Sequence, residues 1–123
     1  MKIIAACLAP LAAWAFISAA HAADVGGQYT VEGTNLDGSA YSGTADITVS
    51  SNSTCRIVWH TGGTNSNGIC MRDNDMLVAA YVLNGEVGLV AYKIKDDGTL
   101  DGIWTMADKN GAGTDVLTPA SSE

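Results

Sequence analysis

Polar and apolar residues alternate along most of the chain beyond the first two dozen positions. The stretch YSGTADITVS places Tyr41, Ala45 and Ile47 on one side and serine, threonine and aspartate on the other. Successive side chains of a β-strand point to opposite faces, so this period of two predicts a strand with one buried face. Because the helical period is almost absent after the N-terminal segment, we predict an all-β fold.

Short turn signals separate the alternating segments. Asn84-Gly85 lies between the β-rich runs LVAAYVL and VGLVAYKI. Both central positions of the tightest hairpin turn need positive φ, which asparagine and glycine tolerate, so this pair predicts a hairpin.

An Asp-Gly phrase occurs twice, ending at Gly38 and at Gly98, and each copy is followed by a segment with an internal glycine, Gly43 or Gly102. Glycine closes turns that need a left-handed residue, and inside a strand it marks a bend or a close backbone approach. We therefore predict hairpin turns at the two Asp-Gly pairs and bends or close approaches at the internal glycines.

The segments between turns predict eight strands joined by short connections, which favours an antiparallel meander. Closure into a small up-and-down barrel of the lipocalin or avidin type would remove the unpaired sheet edges. A flattened two-sheet sandwich is the alternative, because periodicity does not distinguish the two. The predicted strands are 27–34, 39–50, 54–61, 66–71, 75–83, 86–95, 99–107 and 112–118.

The N-terminal segment has the organisation of a secretory signal peptide. Lys2 precedes an apolar run, and Ala20-His21-Ala22 matches the small-residue pattern at which such peptides are cleaved. We predict a helical signal peptide over residues 1–22, a single β-barrel domain over residues 23–123, and export to the periplasm or the cell exterior.

The charge balance narrows the possible partners. The chain carries 13 acidic and 6 basic side chains, for a net charge of −7, and removal of Lys2 would make the mature domain more acidic still. This sign argues against nucleic acids and anionic membranes as partners. Acidity also keeps an exported protein soluble, which is the simpler interpretation.

Two cysteines follow the predicted leader, Cys55 and Cys70. In a chain addressed to an oxidising compartment, such a pair predicts a disulfide, with two free thiols or a metal site as alternatives. The acidic turns near Asp73 and Asp96 lack the spacing of a calcium loop. We predict no metal and no cofactor.

Every aromatic residue of the predicted mature domain is a tyrosine or a tryptophan, so each ring carries a polar tip. Such residues suit an apolar wall that also presents hydrogen-bonding groups, although they are equally good strand formers and core fillers. The residues predicted to line a ligand site in the barrel are Tyr29, Tyr41, Trp59, Tyr92 and Trp104.

One histidine, His60, remains after the predicted leader, and no motif surrounds it with a nucleophile and a carboxylate in a catalytic order. A hydrolase would require His60 to act in an assembly of scattered residues. We predict a non-catalytic protein.

The segments GQYTVEGTNLDGSAYSGTADITV, IVWHTGG, GEVGLVAYKIKDDGTLDGIWT and GAGTDVLTP together resemble a family of small exported bacterial proteins, some of which are labelled fibronectin-binding. The resemblance implies a bacterial, exported protein and supplies no site residues. Gly27-Gln28-Tyr29 also resembles the Gly-x-Trp start of lipocalin-type barrels, with tyrosine in place of tryptophan.

Two functions are therefore expected. The first is an exported β-barrel that binds an unidentified small ligand. The alternative is a protein-interaction module acting through its outer surface, either an adhesin for host-matrix proteins such as fibronectin or an enzyme inhibitor.

Overall fold

The computed structural model describes residues 25–120 of the chain. The predicted signal peptide lies outside these residues. Eight strands follow one another with short connections: β1 (Gly27–Thr34), β2 (Ala40–Val49), β3 (Thr54–Thr61), β4 (Thr64–Asp73), β5 (Met76–Leu83), β6 (Glu86–Ile94), β7 (Leu100–Met106) and β8 (Gly113–Pro119). Within the described range, no helix is long and apolar enough to cross a membrane.

The strands form a closed antiparallel barrel in the order β1 to β8. Each strand pairs with its neighbours in sequence, and β1 also pairs with β8 from Tyr29 opposite Pro119 to Thr34 opposite Thr114. This last ladder satisfies the backbone groups of the two strands that an open meander would leave at its edges. The predicted up-and-down barrel is confirmed, and the two-sheet sandwich is excluded.

The predicted turns are also confirmed. Asn84 and Gly85 have φ values of 54° and 81°, and they join β5 to β6 as a two-residue turn. The strand that departs most from prediction is β4, which begins two residues earlier and ends two residues later than the predicted 66–71. The early start arises because the preceding turn uses only two residues, so that Thr61 pairs with Thr64.

The repeated Asp-Gly phrase builds the same turn twice. Gly38 and Gly98 have φ values of 92° and 89°. In the first copy the Ser39 amide donates to the Asp37 side chain at 2.9 Å, and in the second the Thr99 amide donates to Asp97 at 3.0 Å. The repetition therefore encodes hairpin geometry, and the two turns lie at opposite ends of the barrel.

We name the two ends of the barrel by their connections. The open end carries the turns 35–39, 62–63 and 84–85 and the loop 107–112, and the closed end carries the other three turns and both ends of the described chain. Val25 is 6% exposed and packs into the core at the closed end, where its carbonyl oxygen accepts a hydrogen bond from the Tyr29 hydroxyl at 2.7 Å.

The closed half of the interior is a packed apolar core. Cys55 and Cys70 pair directly across β3 and β4 and form a buried disulfide, with their Cα atoms 4.9 Å apart, which confirms the predicted bridge. The remaining buried side chains of this half are mainly aliphatic: Ile47, Ile57, Leu77, Leu100 and Leu117.

The outside of the barrel has two contrasting faces. Outward residues of β1 and β2 are polar, as in Thr30, Glu32, Thr44 and Asp46. On β4 to β7 the outward side is apolar, and seven large hydrophobic side chains there are 40–60% exposed. We call these seven the outer apolar face: Ile69, Met71, Val78, Val82, Val87, Leu89 and Ile103.

Candidate functional site

The open half of the barrel contains a cavity of about 580 Å³ that is partly open to solvent. Residues from seven of the eight strands and from the turns of the open end line it. Four aromatic rings form much of its wall: Tyr41, Trp59, Tyr81 and Trp104. Leu83 and Val90 add apolar surface, and Ser66 and Asp115 contribute buried polar groups.

Directly paired glycines make room for three of the wall rings. Tyr41 pairs with Gly33, Tyr81 with Gly88, and Trp104 with Gly113. A Cβ atom at any of these glycines would collide with the ring opposite, so each ring lies over the bare backbone of the next strand. The alternation of β-strands explains why these rings point inward, and the paired glycines explain how the barrel accommodates them.

The ring tips are bound by the protein itself. Trp104 Nε1 donates to the carbonyl oxygen of Thr34 at 3.1 Å, and the Tyr81 hydroxyl donates to the carbonyl oxygen of Thr105 at 3.0 Å. The rings also contact one another edge to face, with centroids 6.4 Å apart for Tyr41 and Trp104. The other pair, Trp59 and Tyr81, has centroids 5.2 Å apart. The polar tips of Tyr81 and Trp104 therefore fix their rings in the barrel wall.

Asp115 lies in the cavity wall beside the apolar core and is the centre of a hydrogen-bond network. The Tyr41 hydroxyl donates to Asp115 Oδ1 at 2.6 Å, and the Tyr92 hydroxyl donates to Asp115 Oδ2. Trp59 Nε1 in turn donates to the Tyr92 hydroxyl at 3.1 Å. Side chains of β2, β3, β6 and β8 therefore meet around one carboxyl group.

Burial governs the proton equilibria of this network. Asp115 is only 4% exposed, and its removal from water raises the pKa of the carboxyl group above 3.8, while the hydrogen bonds from Tyr41 and Tyr92 oppose the shift. Burial, followed by the charge of Asp115, raises the pKa of Tyr41, Tyr81 and Tyr92 above 10.0. The three tyrosines are therefore neutral across the physiological range.

The five side chains predicted to bind a ligand lie at three different depths along the barrel axis. Tyr41, Trp59 and Trp104 line the cavity. Tyr92 is fully buried beneath it and reaches Asp115 through its hydroxyl. Tyr29 lies inside the barrel but at the closed end, where it bonds Val25. Their role in ligand binding stays a prediction.

Tyr81 and Asp115 are among the cavity residues that were not predicted from the sequence. The signal for Asp115 was its inward position in β8, two residues from Gly113 and two from Leu117, both of which are buried. Tyr81 had no comparable signal, because its neighbours along β5 are apolar on both faces.

His60 lies away from the cavity, on the outside of β3. Its Nδ1 atom is 2.7 Å from the side-chain oxygen of Asn65, and the residue is exposed. Among residues 25–120, no group of three or more histidine, cysteine or acidic side chains is arranged to hold a metal ion. The prediction of a non-catalytic protein stays a prediction.

The chain is similar in fold to known small barrels. No protein-family model and no curated protein matches it. Among solved structures, a redesigned β-barrel, mFAP1, bound to DFHBI, has a TM-score of 0.66 at 19% identity, covering 76% of this chain and 94% of that one. A fatty acid transporter, REP1-NXSQ, has a TM-score of 0.54 at 14% identity, covering 81% and 98%. A variant of the fluorescent protein UnaG has a TM-score of 0.52 at 13% identity, covering 79% and 96%.

Proposed function

We propose that this protein is a non-catalytic carrier or receptor that holds a small organic molecule in the cavity at the open end of its barrel. The observation that carries the proposal is the cavity itself, about 580 Å³ in volume and walled by four fixed aromatic rings. Ligand sites are typically concave and largely apolar, with a few polar groups and a volume of roughly 300–1,000 Å³. The cavity has such a volume, and its wall combines the four rings, Leu83 and Val90 with polar groups that include Ser66 and Asp115.

The solved structures of similar fold support this use of the barrel by analogy. One of them is bound to DFHBI, and another is a fatty acid transporter. Their sequence identities of 19% and 14% carry no residue-level correspondence. The shared architecture leaves one end of an eight-stranded barrel wide enough for a guest molecule.

A neutral fluorescent probe tests the proposal. N-phenyl-1-naphthylamine is uncharged at neutral pH and brightens in an apolar site, and we expect it to bind the protein with saturation. A Ser66→Phe substitution should lower its affinity by about tenfold or more, because the new ring would occupy the cavity. The matched control is Asn67→Phe, which places the same ring on the same strand but outward. Equal loss in both variants, or no saturable binding by the native protein, would refute the proposal.

The outer apolar face favours a second candidate function, a protein interaction through the outside of the barrel. Its seven exposed hydrophobic side chains carry no charge in a chain of net charge −7. Two copies of an acidic chain repel one another unless they meet on such an uncharged surface, so we take a second copy as the occupant. We expect concentration-dependent dimers that Leu89→Lys abolishes and Thr44→Lys, on the polar face, preserves. A protein that stays monomeric at millimolar concentration would refute the dimer, and capture by immobilised fibronectin would assign the face to a matrix partner instead.

We further propose that the protein is exported and belongs to the family of exported bacterial proteins that it resembles. The buried Cys55–Cys70 disulfide supports an oxidising destination. The mass of the protein recovered from its native host should correspond to cleavage after Ala22. An uncleaved, reduced protein in the cytoplasm would contradict export.

A further inference from the structure

The acidic group of the cavity has no basic partner among the residues that line it. Asp115 contributes a carboxyl group to the cavity wall, and none of the described residues that line the cavity is a lysine, an arginine or a histidine. Buried carboxylates are ordinarily paired with a cation, because the cost of removing an isolated charge from water is high. The groups bonded to Asp115 are the neutral hydroxyls of Tyr41 and Tyr92.

These hydroxyls orient the carboxyl group but occupy only some of the hydrogen-bond acceptor positions on its two oxygens. Each carboxylate oxygen can accept about two hydrogen bonds. Tyr41 donates to one oxygen and Tyr92 to the other. Further acceptor positions therefore remain for a donor that enters through the cavity. Trp59 in turn donates a hydrogen bond to Tyr92. Side chains of β2, β6 and β3 therefore fix the position of the carboxyl group.

The surrounding rings suit a positive charge. Tyr41, Trp59, Tyr81 and Trp104 line the same cavity as Asp115. The faces of tyrosine and tryptophan rings attract cations, and several such rings around a pocket are a common means of binding ammonium groups. Because the ring tips are bound to the protein, the rings offer the cavity their apolar surfaces rather than their hydrogen-bonding groups.

The rim of the open end carries more acidic than basic side chains, so its net charge is negative. Its turns and loop carry two carboxylates, on Asp37 and Asp108, and one cation, on Lys109, and the first residue of β6 adds the carboxylate of Glu86. Lys109 already lies 3.7 Å from Glu86. A negative rim on an acidic protein attracts positively charged molecules and repels anions before they reach the cavity.

We propose that the ligand of the cavity is an organic cation, a molecule with an ammonium-type head and an apolar body. The head binds Asp115 between the aromatic rings, and the apolar body occupies the rest of the cavity. This inference rests on the proposed function and specifies the chemical class of its ligand.

Three probes that share one apolar body test the inference. They are 4-phenylbutylamine, 4-phenylbutanol and 4-phenylbutyrate, whose heads are positive, neutral and negative at neutral pH. Affinities are measured by quenching of tryptophan fluorescence and by calorimetry. We expect the amine to bind about tenfold or more tightly than the alcohol, and the carboxylate to bind most weakly, because a hydrogen bond between charged groups adds to the common contacts.

Two variants assign the preference to Asp115. In Asp115→Asn the ratio of amine to alcohol affinity should fall to about one, because the amide carries no charge. In Asp101→Asn, which removes an exposed outward carboxylate of β7, the ratio should stay as in the native protein. Equal affinities of amine and alcohol for the native protein, or an unchanged ratio in Asp115→Asn, would overturn the inference.

The pH dependence of the native protein provides a test without a variant. The other titratable groups facing Asp115 are Tyr41 on β2, Tyr81 on β5 and Tyr92 on β6, and all three stay neutral. As pH falls through the pKa of Asp115, the amine should lose its advantage over the alcohol. High salt in all samples screens the exposed rim carboxylates, so that their titration contributes little. A ratio independent of pH would count against Asp115 as the counter-ion.

Different experimental outcomes would refute the binding function and the preference for cations. If N-phenyl-1-naphthylamine binds in the cavity but the amine does not exceed the alcohol, the cation inference is wrong and the binding function stands. If neither the naphthyl probe nor any of the three phenylbutyl probes binds, both proposals are wrong.

Discussion

The two halves of the barrel interior differ in chemistry although they are built from the same eight strands. The closed half contains aliphatic side chains and a disulfide, and Ile57, Leu77, Leu100 and Leu117 are each 0% exposed. The open half contains fixed aromatic rings, a buried carboxyl group and a cavity of about 580 Å³. The difference shows that the same strands build a packed core at one end and a cavity, our proposed binding site, at the other.

The largest expected effect is a difference between the halves in how much truncation of one side chain lowers the free energy of unfolding. Leu117→Ala removes a fully buried side chain from the closed half and should lower the free energy of unfolding by about 2–5 kcal/mol. Leu83→Ala, in the cavity wall, should cost about 1 kcal/mol or less, because it widens a space that is already open. Urea denaturation measures both. Equal losses would contradict the division between the halves.

An intermediate effect is expected where a ring lies over a glycine. In Gly88→Ala the new methyl group would collide with the Tyr81 ring, so we expect a loss of about 1–3 kcal/mol together with weaker binding of the naphthyl probe. Gly26→Ala is the control, because its Cβ would lie 3.4 Å from Val49 Cγ2 and meets ordinary contacts. Binding unaffected by Gly88→Ala would show that Tyr81 is not part of the ligand site.

The smallest expected effect is a gain in stability, in contrast to the losses above, and it depends on pH. Because folding raises the pKa of Asp115 above 3.8, ionisation of this group lowers the stability of the folded state as pH rises through the folded pKa. Asp115→Asn should therefore be more stable than the native protein at neutral pH, and the two should converge below pH 3.8.

Asp37 provides the matched control for this pH dependence. Hydrogen bonds from Ser39 lower its pKa, so the stability that Asp37 contributes is present above pH 3.8 and is lost as pH falls through the folded pKa. Asp37→Asn should be less stable than the native protein at neutral pH, the opposite of Asp115→Asn. Chemical denaturation at a series of pH values compares the two variants, and the same sign in both would contradict the assignment of Asp115 as an unpaired buried acid.

The strands and turns were predictable because they depend on local rules. Alternation identifies the faces of a strand, as in Ala45 and Ile47, and Asn84-Gly85 closes the hairpin that its φ preferences allow. The disulfide was predicted from two cysteines in a chain that we expect to be exported, and Cys55 and Cys70 form it.

The candidate site was only partly predictable, because it depends on depth along the barrel axis. Tyr29 and Tyr41 were both predicted to line one ligand site, but they lie at opposite ends of the barrel. Depth is set by the stagger between strands, which the sequence pattern does not report. Asp115 had only its inward position in β8 as a signal, and its partners Tyr41 and Tyr92 lie on other strands.

Amide and indole NMR spectra recorded during a titration with N-phenyl-1-naphthylamine would locate the ligand and so test whether the open-end cavity is the binding site. We expect the indole signals of Trp59 and Trp104 and the amide signal of Ser66 to shift with saturation, while the amide signals of Leu100 and Leu117 stay in place. Shifts confined to Ile69, Leu89 and Ile103 would place the ligand on the outer apolar face and exclude the cavity as its site.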